Sequence, residues 1–195
     1  MYLYNFLYFL YLTNFNLKID DIRDEKLIEK NIQYLGNSSK NNIYRSFMSN
    51  HSHLDFFHLI SNIFAINFIS FLISDLFKCY YPIVLFYLTF ILEHIFVEFM
   101  KSEESKVIGS SGCILGLYGF YFFNFLFNLK SFYNFNIIHR NSFWFTLFIL
   151  INLIIEYKKS IDNKKDEDDN TSDISHITGF LIGFINYILY FLLIK

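Results

Sequence analysis

Apolar positions along this chain are gathered into blocks, and the polar ones are swept into the stretches between them. The hydrocarbon core of a bilayer takes about 20 apolar residues of helix, with about 17 as a lower limit. Six blocks meet or approach that length: residues 1–17, 53–76, 80–100, 112–129, 142–157 and 174–194. The intervening segments are a polar loop at 18–44, a short charged loop at 101–106, an aromatic-rich loop at 130–140 and a charged loop at 158–173. The last of these has Asp166-Glu167-Asp168-Asp169 at its heart. The pattern predicts an all-α, polytopic membrane protein: six transmembrane helices in one bundle, a single domain over residues 1–195. An even number of spans puts both ends of this bundle on one side. The block at 1–17 lacks a basic leading region and a small-residue cleavage site, so it reads as an anchor helix rather than a signal peptide.

Composition agrees with that reading. The chain is 54% hydrophobic and only 17% charged, with 27 Phe and 15 Tyr; a water-soluble domain is nearer 25% charged. A formal net charge of −2 gives no basic footprint for nucleic acid. Cys79 and Cys113 fit neither a zinc spacing nor a disulfide framework, and both read as packing residues. No metal or other cofactor is expected. The loops after the first, third and fifth blocks hold twelve of the sixteen Lys and Arg. The positive-inside rule then places those loops in the cytosol or matrix.

Three polar islands interrupt the apolar blocks. His53, His58 and Asn62 open the second, with His58 and Asn62 four apart and so on one helix face. Gly109-Ser110-Ser111-Gly112 leads into the fourth, and His176 stands at the start of the sixth. Polar side chains inside a membrane are costly and face the bundle interior. One account is interhelical hydrogen bonding alone. The other is chemistry. Gly112, Gly116 and Gly119 form a small-residue stripe on the fourth block, and Gly179 and Gly183 form one on the sixth. Packing stripe on stripe brings the backbones close and puts Ser111 and His176 at the same end. A serine hydroxyl becomes a nucleophile when a base takes its proton, and neutral histidine is the usual base near pH 7. The Ser111 N–H at a helix start, with His58 and Asn62, would supply donors for an oxyanion. The nucleophile elbow Gly-x-Ser-x-Gly does not compete, because Cys113 stands where its second Gly is needed.

On these residues the chain resembles the rhomboid family of intramembrane serine proteases. His53-(x4)-His58-(x3)-Asn62 resembles that family's second-helix signature, and Gly109-Ser110-Ser111-Gly112 its Gly-x-Ser-Gly. His176-x-x-Gly179-x-x-x-Gly183 resembles the sixth-helix signature, and Tyr44-Arg45 the Trp-Arg pair of the first loop. The resemblance implies Ser111 as nucleophile and His176 as general base and then acid. Asn62, His58 and the Ser111 N–H would hold the oxyanion, His53 and Gly109 would shape the site, and no third catalytic carboxylate is expected. The partners implied are the lipid bilayer and single-span membrane proteins, cut near the membrane surface where their helix unwinds. The loop 158–173 would cap the site, and the fifth span would serve as a side gate.

The chain departs from the pattern at Tyr44, at Leu115 where many members carry an aromatic, and at Ser175 where Ala is common. The family places its site on the extracytoplasmic or lumenal side, opposite to the Lys and Arg distribution, so the face remains open. Two other readings stay on the page: a catalytically inactive rhomboid-like protein that binds or escorts membrane clients, and a small channel or transporter using Glu93, His94 and Glu98. For those three, a position at the boundary of the third span is the simpler expectation.

Overall fold

The structure, a computed structural model, describes residues 33–34, 43–51, 53, 56–99, 106–107, 109–128, 134–162 and 167–194. The first apolar block and most of the polar loop 18–44 lie outside these residues. Among these residues six helices follow in order: α1 Ile43–His51, α2 Phe56–Leu76, α3 Tyr81–Phe99, α4 Ser111–Phe127, α5 Ile137–Asp162 and α6 Glu167–Ile194. Two two-residue strands, β1 Gln33–Tyr34 and β2 Lys106–Val107, pair antiparallel, Gln33 opposite Val107 and Tyr34 opposite Lys106. This small bridge ties the first loop to the chain just ahead of Ser111.

The boundaries differ from the hydropathy blocks in one direction. Helix α5 starts at Ile137, five residues before the apolar block, and continues to Asp162; α6 starts at Glu167. Most of the expected loop 158–173 and the end of the expected loop 130–140 are therefore helical. The reason is that hydropathy marks where a chain leaves lipid, whereas a helix ends at Pro, Gly or a cap. Residues 158–173 contain neither Pro nor Gly, and acidic residues at a helix N-terminus are favoured by its dipole. At 1.5 Å per residue, α5 and α6 run roughly 39 and 42 Å, beyond a hydrocarbon core of about 30 Å.

Among the described helices, three segments combine the length and apolarity needed to cross a membrane: Phe57–Leu76, Ile137–Lys158 and Ser175–Leu193. Tyr81–Phe96 and Ser111–Phe127 are shorter apolar helices. Helix α4 is short because it is central. It packs against α2, α3, α5 and α6, and Cys113, Ile114, Leu117, Tyr118, Phe120, Tyr121 and Phe125 are all buried. A helix apolar on every side belongs in an interior. Its 17 residues span about 25 Å, so a helix that ends near one surface begins beneath the other. Large apolar side chains on the outer helices point outward, among them Phe64, Phe148 and Leu192, as lipid contact requires.

Helix α1 is arranged the other way round. Its Ser46, Ser49, Asn50 and His51 are buried while Ile43 and Tyr44 are exposed. The polar face turns to the bundle, where Ser46 Oγ lies 2.7 Å from His94 Nδ1 and Asn50 Nδ2 donates to Ser46 O at 3.1 Å. Tyr44, expected in the first loop, thus lies on a helix.

Candidate active site

Local sequence sets the entry to α4. Gly109 has φ +109°, a conformation that L side chains rarely adopt, and its N–H donates to Ser49 O of α1 at 2.8 Å. A Cβ at this position would also lie 2.9 Å from His58 Cε1 and 3.2 Å from His58 Nε2. Only glycine lets the turn close on the imidazole. Ser110 then occupies the N-cap of α4 but does not use its hydroxyl as a cap. That hydroxyl instead lies 3.3 Å from His53 Nε2. The first intrahelical bond runs from Ile114 N to Ser110 O at 2.9 Å, and the N–H groups before it have no intrahelical acceptor. The Ser111 N–H is one of them.

The α4–α6 seam places the histidine. A Cβ at Gly179 would lie 2.7 Å from the Gly112 carbonyl carbon, and one at Gly183 would lie 2.7 Å from the Gly119 carbonyl carbon. A Cβ at Gly119 would lie 3.0 Å from the Phe180 carbonyl carbon. The two glycine stripes meet backbone on backbone. One turn before Gly179, His176 faces the start of α4, and Ser111 Oγ stands 2.7 Å from His176 Nε2. With the imidazole neutral and its proton on Nδ1, the hydroxyl donates to Nε2. Ser111 and His176 are 65 residues apart in sequence.

The far wall comes from α2 and the residues ahead of it. His53 and His58 stack edge to face, ring centroids 5.1 Å apart. Asn62 is buried, and its Nδ2 has no hydrogen-bond acceptor among the described residues. Its amide nitrogen lies 3.9 Å from where a Gly109 Cβ would be. A buried amide donor without a partner is costly unless another group completes it. The structure therefore brings Ser111 and His176 together directly, His53 onto Ser110, and His58 and Asn62 beside Gly109. Leu115 packs partly buried against the core. The Arg45 side chain lies outside the described residues, and so does that of Glu98.

One expectation is corrected here. Glu93 is not a boundary residue: it is 4% exposed, and its carboxyl group meets Ser175 Oγ at 2.5 Å and Cys113 Sγ at 3.5 Å. His94, beside it, binds Ser46 of α1. Sequence held a signal for this. Phe86, Thr89, Phe90 and Glu93 follow helical spacing on one buried face, while Ile91 and Ile95 are exposed. Reading Glu93 together with His94 and Glu98 as one charged end hid that face.

A second polar cluster sits at the other end of the bundle, away from the glycine turn. His139 is 2.8 Å from Asp75 Oδ2 through Nε2 and 2.9 Å from Tyr121 Oη through Nδ1. Its backbone N–H donates to Asn136 Oδ1 at 3.0 Å. The two ring bonds hold the start of α5 to the end of α2 and to the second half of α4, and the third caps α5 itself.

Comparison with family models gives a match to the Rhomboid domain over residues 40–193. No match was found among curated proteins or among solved structures.

Proposed function

This chain belongs to the rhomboid family, a multi-pass integral membrane protein, and from that premise we propose that it is an intramembrane serine endopeptidase. The observation that carries the proposal is the 2.7 Å approach of Ser111 Oγ to His176 Nε2. The hydroxyl passes its proton to His176 as it attacks a scissile carbonyl. The tetrahedral oxyanion that forms takes hydrogen bonds from the Ser111 N–H and from Asn62 Nδ2, with His58 alongside. His176 then gives its proton to the leaving amine, and water, activated in turn by His176, releases the acyl group from Ser111. His53 and Gly109 hold the turn that aims the nucleophile.

The substrate class follows from the location. A dyad beneath the membrane surface reaches only a segment already in the bilayer. An intact helix hides its carbonyls, so single-span proteins whose helix opens near the surface are the substrates. The whole of residues 1–195 forms one domain. Helices α2–α6 supply five spans of the bundle, the apolar block 1–17 expected as a sixth lies outside the described residues, and α5 is the side through which substrate enters.

The test is cleavage of a co-expressed tagged single-span substrate. Ser111→Ala and His176→Ala abolish it without lowering expression; loss of either member of a serine–histidine pair costs on the order of 10⁶ in kcat in a well-studied soluble protease. A fluorophosphonate labels Ser111 in the parent and not in either variant. An unlabelled parent, with no cleavage across a substrate panel, would instead leave a client-binding rhomboid-like protein.

A further inference from the structure

The dyad's two helices meet at a third group that the serine–histidine chemistry does not use. Glu93 reaches from α3 into the α4–α6 seam, where it touches both partners of the dyad at one remove. Its Oε1 accepts from Ser175 Oγ at 2.5 Å, and Ser175 is the residue before His176. Its Oε2 lies 3.5 Å from Sγ of Cys113, two residues after Ser111. The space it fills is made by Gly112, where a Cβ would lie 2.9 Å from Oε2 and 2.8 Å from the carboxyl carbon. Glycine at 112 thus serves two contacts, the Glu93 carboxyl on one side and Gly179 on the other.

Cys113 has one S–H and two acceptors near it, Asn50 Oδ1 at 3.0 Å and Glu93 Oε2 at 3.5 Å. Asn50 Nδ2 donates to Ser46 O, so Oδ1 is the acceptor end of that amide, and the thiol proton lies between it and the Glu93 carboxyl. Ser175 and Cys113 thus both donate toward Glu93, from α6 and from α4.

We propose that Glu93 is a positioning residue for the dyad: it bridges Ser175 to Cys113 and so holds the His176 ring in register with Ser111. The bridge also accounts for a departure noted in the sequence, since Ser175 stands where the family commonly has Ala and here supplies the hydroxyl that Glu93 accepts. The inference rests on the serine-protease reading above.

The experiment compares Glu93→Gln, Glu93→Leu and Ser175→Ala with the parent in detergent and in liposomes. Readouts are kcat, KM, the rate of fluorophosphonate labelling at Ser111, and the melting temperature. The glutamine carbonyl still accepts from Ser175, and its amide has the size of the carboxyl, so Glu93→Gln keeps kcat and labelling near the parent. Glu93→Leu lowers kcat by about 100-fold, the cost of a roughly 1 Å misplacement, with KM little changed and labelling slowed alike. Ser175→Ala moves kcat in the same direction by less, and covers the case in which Glu93→Leu fails to fold. Parent-like kcat in Glu93→Leu or in Ser175→Ala overturns the proposal. A fall in activity that only tracks loss of folded protein overturns it too, as does a Glu93→Gln protein as slow as Glu93→Leu. A parent that neither cleaves nor labels marks failure of the protease reading instead, and the positioning role falls with it.

Discussion

Helices α5 and α6 both lie against α4, yet they are held by different means. Helix α6 meets α4 through main chain at the site end, Gly179 against Gly112 and Gly183 against Gly119. Rings join the same two helices beside and beyond that seam, as where Phe123 meets Phe184 and Phe127 stacks on Tyr187, but at the glycines nothing flexible lies between them. Past the His139 bonds at its start, helix α5 meets its neighbours through rings. Phe143 stacks on Phe122 with centroids 5.3 Å apart and planes 2° from parallel, and Phe145 meets Phe68 and Tyr118 edge to face at 6.3 and 6.5 Å. Beyond those rings α5 presents Trp144, Phe148, Ile151 and Ile154 outward. Side chains on staggered rotamers can be rearranged one at a time, whereas a backbone seam has only one depth. The backbone seam fixes the spacing of the two helices that carry Ser111 and His176, whereas ring contacts leave α5 freer to repack.

The largest expected effect is at the backbone seam. Gly119→Val would put side-chain carbons onto the Phe180 carbonyl, and the helices have nowhere to yield. Loss of monodisperse protein in detergent, and of all cleavage, is the outcome; a folded, active Gly119→Val protein would break the distinction drawn here. Next comes Asn62, which reaches the site from α2 by a side chain alone. Asn62→Ala lowers kcat by about 10²–10³ if it removes one oxyanion donor, with the melting temperature unchanged or raised, since a buried unpaired amide goes with it. Cleavage kinetics beside a detergent melt check both halves. A smaller functional change is expected on α5. Phe143→Ala removes a buried ring, costing about 3 kcal/mol of stability, while the folded fraction still cleaves with the parent's kcat. Titrating unfolding and activity in parallel separates the two. The smallest effect belongs to Trp144→Ala, 59% exposed, where stability shifts by no more than about 0.5 kcal/mol.

The same contrast explains how far the sequence could be read. Glycines at three- and four-residue spacing signal close helix approach from composition alone, so the α4–α6 stripes were legible before any coordinates. The ring contacts of α5 were not, because 27 Phe and 15 Tyr offer far more pairings than a fold can use. Glu93 was misplaced for a related reason. A carboxyl near the end of an apolar run looks like a boundary residue until Ser175 and Cys113, 82 and 20 positions away, are seen to turn toward it. The start of α5 was set five residues late because His139 and Arg140 read as loop, while in the fold His139 is buried between Asp75 and Tyr121.

What the chain by itself determined is therefore what depends on local spacing and on transfer between water and lipid. The blocks of helix, the glycine stripes, the turn at Gly109 and the residue types able to run acyl chemistry all belong there. Tertiary structure alone decided the pairings: which hydroxyl meets which imidazole, which carboxyl is buried and by whom, and how far each helix continues past the lipid. The physical reason is that burial and helix propensity are properties of short segments, whereas a hydrogen bond has a range of about 3 Å. Whether its two ends come that close is settled only when every helix between them has been packed.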